Sequence, residues 1–426
     1  MSSFTKAAAL LAFAGCLIGG ITPIKAQESD STRFALEGYG EILYQHYDFG
    51  PDRKSGENGS PEDDRATIGI PRAVFEMEYF FQPDLYLEAE LEIEFGGTGS
   101  AMELEYEEFG EYEHEVEKGG EIVLEEIHVT KEFIPEFSLR AGHFILPVGL
   151  VNTRHEPEDF FGTIRPESET GIIPVTWHET GIEAFGSVGD LSYQLQLVNG
   201  LDASGFSSEH WIAEGHQTRF ELAQATNMAF VAALEYSGLD GLTVGGSFYR
   251  GNSTGNRPKP DMEGIDGYVT IVDGHAVYEQ GPLVARLLYL YGSLQNADVI
   301  SQKNTRISKD LQTPRTPVAS GALAWYGEIG YDVLSLFSTD SAASMRLLPF
   351  FRYEHYNSMH KAASGQFPDP RFERNLWTTG LNFFLTDDVV IKADFSHRTF
   401  GLERYNDENT IGVGVGYSGE FFKSYR

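Results

Sequence analysis

The chain has 426 residues, 13% aromatic and rich in glycine (46 residues), and carries a formal net charge of −33. That acidity excludes nucleic-acid partners, which need a basic surface. No stretch beyond residue 26 approaches the ~20 apolar residues of a spanning helix, so a membrane crossing would require a closed sheet, since an open edge is not tolerated in lipid.

Residues 1–26 read as an export signal that is removed: Lys6 supplies the positive start, Ala7 to Ile21 the apolar run, and Lys25-Ala26 a cut before Gln27. Ile24 is not the small residue usually preferred three positions before a cut. The single cysteine, Cys16, lies inside this segment. A lipoprotein signal with lipid on Cys16 fits less well, because the apolar run continues through Leu17-Ile18. Residues 27–426 then form one domain without cysteine, hence without a disulfide framework.

Sixteen segments alternate as strands, each with one apolar face. Phe34-Leu36-Ile42-Tyr44 is followed by Ala73-Phe75-Met77-Tyr79-Phe81. Leu85 to Phe95 alternates without exception, Leu85, Leu87, Ala89, Leu91, Ile93 and Phe95 against Tyr86, Glu88, Glu90, Glu92 and Glu94. In Ile122 to Phe133, Glu125 beside Glu126 spoils the pattern. Then come Phe137-Leu139-Ala141, a weak segment at Trp177 to Phe185, Leu191 to Leu197, Met228 to Tyr236 and Leu242 to Phe248. A mixed segment at Tyr268 to Tyr278 precedes Leu283 to Tyr291, Leu323 to Tyr331, Leu347 to Tyr353, Trp377 to Phe383, Val389 to Phe395 and Ile411 to Tyr417.

The connections alternate between short and long. Gln82-Pro83-Asp84, Pro135-Glu136, Gly186 to Asp190, Ser237 to Gly241, Glu279-Gln280-Gly281, Ser335 to Ser341 and Thr386-Asp387-Asp388 are short and turn-rich. The long ones include Asp48 to Ala66, Gly96 to Gly120 and Val148 to Val175. A soluble sandwich has no reason to place every long loop at one end. A transmembrane antiparallel β-barrel of about 16 strands does, with short periplasmic turns and long extracellular loops. Aromatics at strand ends, such as Tyr79-Phe80-Phe81 and Phe383-Phe384, fit girdles at the lipid–water boundary.

From Glu125 to Gly181 the chain resembles the phosphate-selective porin O and P family, on Arg140-Ala-Gly-His-Phe-Ile-Leu-Pro147-Val-Gly149-Leu-Val-Asn152 and the long third loop behind it. The resemblance implies a 16-stranded homotrimeric channel of a Gram-negative outer membrane, with that loop folded into the pore. The chain departs from the pattern at Phe421-Phe422-Lys-Ser-Tyr-Arg426, which does not finish on an aromatic, and in lacking a concentrated Lys and Arg lining.

Parity places Arg72, Arg140, Arg286, Arg346, Arg352, Lys392 and Arg398 on the water-facing side, together with Glu76, Glu78, Glu88, Glu90, Glu92, Glu179, Glu183, Glu235, Glu328 and Asp394. Mixed signs on a curved wall set a transverse field; the plainer reading is that each arginine pairs with a wall carboxylate. In the third loop, Pro157-Glu158-Asp159 is expected to open a short helix, with Arg154 and Arg165 at the constriction. The carboxylates from Glu103 to Glu117 form a solvated acidic loop dense enough to gather Ca²⁺ or Mg²⁺, and Lys303, Arg306, Lys309 and Arg315 form a basic one.

No catalytic constellation emerges. Gly251-Asn-Ser253-Thr-Gly255 lacks the strand–turn–helix context of a nucleophile elbow, and Gly414-Val-Gly416-Tyr-Ser-Gly419 precedes no helix. Asp394, Ser396 and His397 share a strand, but parity turns His397 away from the other two. The expectation is a non-enzymatic porin without cofactor or metal, contacting outer-membrane lipids and passing small hydrophilic solutes or ions, phosphate or other anions among them. The alternatives are a closed barrel for surface recognition or adhesion, and an outer-membrane hydrolase.

Overall fold

The computed structural model describes residues 32–51, 64–97, 103–105, 113–115, 120–217, 223–305, 316–337, 345–403 and 405–425. The export signal, most of the acidic loop, and Arg306, Lys309 and Arg315 lie outside these residues.

Sixteen antiparallel strands close on themselves. They are β1 (Thr32–Asp48), β2 (Asp64–Gly69 and Arg72–Gln82), β3 (Leu85–Glu94), β4 (Glu121–Ile134), β5 (Phe137–Ile145), β6 (His178–Val188), β7 (Leu191–Asn199) and β8 (Met228–Leu239). The circuit continues through β9 (Leu242–Asn252), β10 (Tyr268–Gln280), β11 (Leu283–Leu294), β12 (Gly321–Tyr331), β13 (Arg346–Lys361), β14 (Glu373–Thr386), β15 (Val389–Phe400) and β16 (Glu408–Tyr425). Each strand pairs with its chain neighbours, and β16 returns to β1 with Thr32 opposite Tyr425 and Asp48 opposite Asn409. Closure leaves no edge with unpaired backbone groups, the condition for a sheet in lipid. Both described ends of the sheet lie on one side, as an even strand number requires. No helix among the described residues is long and apolar enough to cross a membrane.

β2 starts earlier than the alternation predicts. Asp64–Gly69 already pairs with the end of β1, and the strand breaks at Ile70-Pro71 before resuming at Arg72. Proline has no N–H for the ladder, so the strand is interrupted there. The connection between β12 and β13, read as a short turn from Ser335 to Ser341, spans 332–345 and opens with a 3₁₀ turn at Val333–Leu336. The other periplasmic connections are tight. A small hairpin pairs Glu103–Glu105 with Glu113–Glu115 in the second outer loop.

The outward face is apolar. Phe75, Met77, Ile127, Val129, Leu195, Leu197, Phe230, Leu234, Leu287, Tyr289, Ile411, Val413 and Val415 are all exposed. A continuous apolar belt of this size is not compatible with a bare aqueous surface, and it supplies the lipid-facing band of a membrane barrel.

The inner face holds two environments. Toward the loop ends of β7 to β13, it is apolar: Val198, Ala229, Val231, Tyr249, Val269, Ile271, Leu290, Ala322 and Ala324 are buried. Onto them fold Leu201, Phe206, Trp211 and Ile212 of the fourth outer loop, Met262 of the fifth, and Ile300 on the short helix α2 (Ala297–Asn304) of the sixth. The remainder of the inner wall carries most of the charged side chains, with two smaller apolar clusters, Leu348, Phe350, Phe384 and Val390 around Phe161, and Leu288 and Tyr326 against Leu150 and Val151.

Candidate functional site

The third outer loop, residues 146–177, runs into the barrel from the top of β5. Its foot is built by the residues that carry the family resemblance. Asn152 Nδ2 donates to the carbonyl oxygens of Leu146 (2.6 Å) and Trp177 (3.2 Å), while its Oδ1 accepts from the Trp177 N–H (2.6 Å). One side chain thus ties the two ends of the loop together. Glu169 Oε1 accepts from the N–H groups of Val151 (2.9 Å) and Asn152 (3.2 Å). Gly149 turns with φ +85°, and a Cβ there would sit 2.3 Å from Glu169 Oε1, so no other residue fits.

From this foot the loop crosses to the far wall and is bonded there strand by strand. Lys392 Nζ of β15 donates to the Phe160 carbonyl (3.0 Å), and Arg352 of β13 donates to those of Phe161 (2.9 Å) and Ile164 (3.2 Å). The Gly162 N–H donates to Asn382 Oδ1 of β14 (3.1 Å), the Thr163 N–H to Asp394 Oδ2 of β15 (2.5 Å) and the Ser168 N–H to Glu354 Oε2 of β13 (2.8 Å). All but the Asn382 contact are charge-assisted, and such bonds in a low-dielectric interior are the strong ones. Where the loop lies on β16 the wall is stripped to glycine. A Cβ on Gly412 would come 2.1 Å from Thr163 Oγ1, and one on Gly416 would come 2.3 Å from the Pro157 Cβ. Of the glycines that mimic a dinucleotide fingerprint, Gly416 makes room for this loop, whereas Gly414 faces Leu43.

The loop's helix differs from expectation. Pro157 to Asp159 forms only a turn, with the Asp159 N–H donating to the Glu156 carbonyl; the loop has a 3₁₀ turn at Val151–Thr153 and one α-helical turn, α1 (Glu167–Thr170), following Pro166. Glu167 is its focal residue: Arg398 and the Tyr356 hydroxyl donate to it, and Arg374 stands 3.9 Å away. Burial alone would raise its carboxyl, but the Arg398 and Arg374 guanidiniums outweigh that and hold it down at about 2. A carboxylate depressed below its unfolded value stabilises the fold above that value, about pH 4.3. The contribution disappears as pH falls toward 2. Conductance through the barrel should therefore become noisy between pH 4 and 2, and Glu167→Gln should show the same noise at pH 7 in single-channel recordings.

The predicted wall residues fall as follows. Arg72 pairs with Glu41 (3.0 Å) and donates to the His155 carbonyl of the loop. Arg140 faces Glu183 (3.5 Å), and Arg286 pairs with Glu328 (2.9 Å) and Glu279 (3.3 Å) over the Phe161 ring. Arg352 also meets Glu354 (2.8 Å), and Arg398 meets Glu408. Arg346 sits apart at the periplasmic end, over Phe384 and near Asp387 (3.5 Å). In the loop, Arg154 reaches Glu235 (2.7 Å), whereas Arg165 donates to Thr176 Oγ1 (2.9 Å). Arg154 and Arg165, both expected to face the opening, are thus each bonded to a different part of the protein.

The acidic residues form a block on β1 to β4. In register, Glu37 lies opposite Glu76, Glu76 opposite Glu90, and Glu90 opposite Glu126, a row of four glutamates across four strands. A second row runs Glu78, Glu88 and His128, and Glu92 is buried beside the first. Like charges directly opposite one another destabilise a sheet, so nothing in folding alone selects this arrangement. Glu76, Glu78 and Glu88 are half-buried and Glu90 and Glu92 buried.

Several members were not read from the sequence. Glu41, Glu354, Arg374 and Glu408 lie at the inward parity of their strands, opposite the apolar face. Glu125 and Glu126 both point inward because the register slips between Glu90 and Leu91 on β3, giving a β-bulge in β4. The dismissed chemical motifs do not assemble. Ser253 Oγ donates to the Gly267 carbonyl (2.8 Å), and His397 lies against Trp377 while Asp394 is held by Thr163.

No protein-family model matches the sequence. A relative from Aquifex aeolicus (strain VF5), described as an uncharacterized protein, is 26% identical over 375 residues, 88% of this chain and 77% of that one. Among solved structures, Salmonella typhi OmpF in complex with daunomycin is similar with TM-score 0.54 at 12% identity, over 92% of this chain and 98% of that chain. The outer membrane channel DcaP of Acinetobacter baumannii gives 0.52 at 10% identity, over 94% and 100%. At these identities the likeness is one of fold. The chain is an outer-membrane β-barrel in architecture, and within that class it has the porin fold.

Proposed function

We propose that this protein is a porin of a Gram-negative outer membrane, a passive channel for small hydrophilic solutes and ions whose constriction is the third loop. The observation that carries the reading is that loop's course across the lumen, bonded to β13, β14 and β15. A constriction must hold its shape against solvent, and these bonds give it a rigid seat. Arg72, Arg352, Lys392 and Arg398 act as anchors of the loop, while the half-buried Glu76, Glu78 and Glu88, with Arg154, Arg286 and Arg140, meet the permeating solute. Glu90 and Glu92 set the potential behind them. Export by the N-terminal signal and assembly as a homotrimer complete the proposal; the trimer rests on the family resemblance.

Each of those arginines is paired with a further carboxylate, Arg154 with Glu235, Arg286 with Glu328 and Arg140 with Glu183, so Glu76, Glu78 and Glu88 leave the accessible lumen net negative. The channel therefore favours cations, against the anion or phosphate preference that the resemblance implies. Under a tenfold KCl gradient across a planar bilayer, the reversal potential should take the sign of K⁺ selectivity. The opposite sign would restore the phosphate-porin reading, and no current at all would favour a closed barrel for surface recognition.

A further inference from the structure

We propose that Glu90, Glu125 and His155 form a binding site for one first-row divalent cation of the Zn²⁺ or Mn²⁺ type, joining the third loop to the acidic wall. One ligand atom from each residue lies within 4.8 Å of the other two. Three ligands held at about 2.0–2.2 Å in tetrahedral geometry stand about 3.3–3.6 Å apart, so side-chain rotations that draw the ligand atoms together by up to about an ångström complete the site. All three residues are buried, at 5%, 2% and 7% exposure.

Three further observations point to a missing positive partner. First, Glu125 Oε2 is buried without a hydrogen-bond partner among the described residues. The bulge forces this carboxylate inward beside Glu90 and Glu92, and a buried, unpaired carboxylate oxygen is costly.

The second is a count of hydrogens. His155 Nδ1 lies 3.0 Å from the Asn152 carbonyl oxygen, to which it donates, leaving a lone pair on Nε2. Tyr39 Oη is 2.8 Å from that Nε2 and 3.0 Å from Glu90 Oε1. Both neighbours are acceptors, and a hydroxyl has one hydrogen, so one acceptor is left for another partner.

The third is charge. Glu41, Glu90, Glu92 and Glu125 are met by the guanidiniums of Arg72 and Arg165. Glu126, opposite Glu90, adds a further carboxylate to the cluster, so negative charge exceeds positive there.

The donor set selects the ion. Mg²⁺ and Ca²⁺ take oxygen ligands, whereas an imidazole with two carboxylates suits Zn²⁺, Mn²⁺ or Fe²⁺. The Asn152 carbonyl behind His155 orients the ring, as a carbonyl commonly does behind a metal-binding histidine. Because His155 belongs to the loop and the two glutamates to β3 and β4, the ion would fasten the loop to two strands that its Lys392 and Arg352 anchors do not occupy. This inference does not depend on the channel reading.

The test uses the full folded chain in detergent, stripped with EDTA, freed of chelator and titrated calorimetrically with ZnCl₂ or MnCl₂. One ion per chain is expected, also in a variant lacking residues 103–117, which removes the acidic outer loop. Glu125→Gln, with its sheet content checked by circular dichroism, should weaken that binding by about tenfold or more. Should this variant not fold, pulsed electron paramagnetic resonance of the Mn²⁺-loaded wild type should show coupling to one imidazole nitrogen. Absence of stoichiometric binding, unchanged binding in Glu125→Gln, or absence of nitrogen coupling would overturn the site and leave the cluster to be neutralised by protons.

Discussion

Excising residues 156–168 and closing the gap with a short Gly-Ser linker should raise single-channel conductance several-fold, with sheet content unchanged. The excision removes Phe160, Phe161 and Thr163 from the lumen and the backbone atoms that Lys392, Arg352, Asn382 and Asp394 now engage. Those side chains are then free to hydrate or to pair among themselves along the wall. The strand ladder is untouched, because the loop's own bonds are to side chains of the wall and not to its backbone edges. Unchanged conductance would mean that the narrowest point lies elsewhere, in the apolar packing beneath the fourth and sixth outer loops.

That packing gives the second large effect. Trp211 is fully buried, and its indole N–H donates to the Ala319 carbonyl (3.1 Å). Its ring lies on Gly292 of β11, where a Cβ would come 2.0 Å from Cη2. Trp211→Ala opens a cavity under the fourth loop and leaves the Ala319 carbonyl without this donor. Loss of a buried large aromatic costs about 3–5 kcal/mol. The urea midpoint in detergent, followed by circular dichroism, should fall accordingly, while Trp325→Phe on the outward face should leave it nearly unchanged.

The barrel was legible because alternation is a local property that the membrane enforces on every strand. Leu85 to Glu94 shows it without exception, and even the weak segments at 177–185 and 268–278 proved to be strands. Alternation also carried its own warning at β4. The outward apolar positions run Ile122, Leu124, then Ile127, Val129, a slip from even to odd that marks the bulge and puts Glu125 and Glu126 on one face.

The inner apolar lining was illegible for the converse reason. In Met228-Ala-Phe-Val-Ala-Ala-Leu234 both faces are apolar, so parity cannot tell lipid from packed lumen. The roles of the basic residues were also hidden. Parity places Arg352 and Lys392 inside, but only the path of the third loop makes them its anchors, and that contact spans some 190 residues or more of chain.

Every assignment of inside and outside depends on the apolar face of the sheet lying in lipid, and tryptophan fluorescence reports on it. Trp325 and Trp377 alternate with the buried Ala324 and Tyr326, and Leu376 and Thr378, and so face outward, whereas Trp177 and Trp211 are fully buried. In vesicles of lipids brominated along the acyl chain, emission from Trp325 and Trp377 should be quenched and that from Trp177 and Trp211 retained. The doubly substituted Trp325→Phe, Trp377→Phe protein should lose nearly all of the quenching. Equal quenching of wild type and double variant, or none in either, would contradict the account.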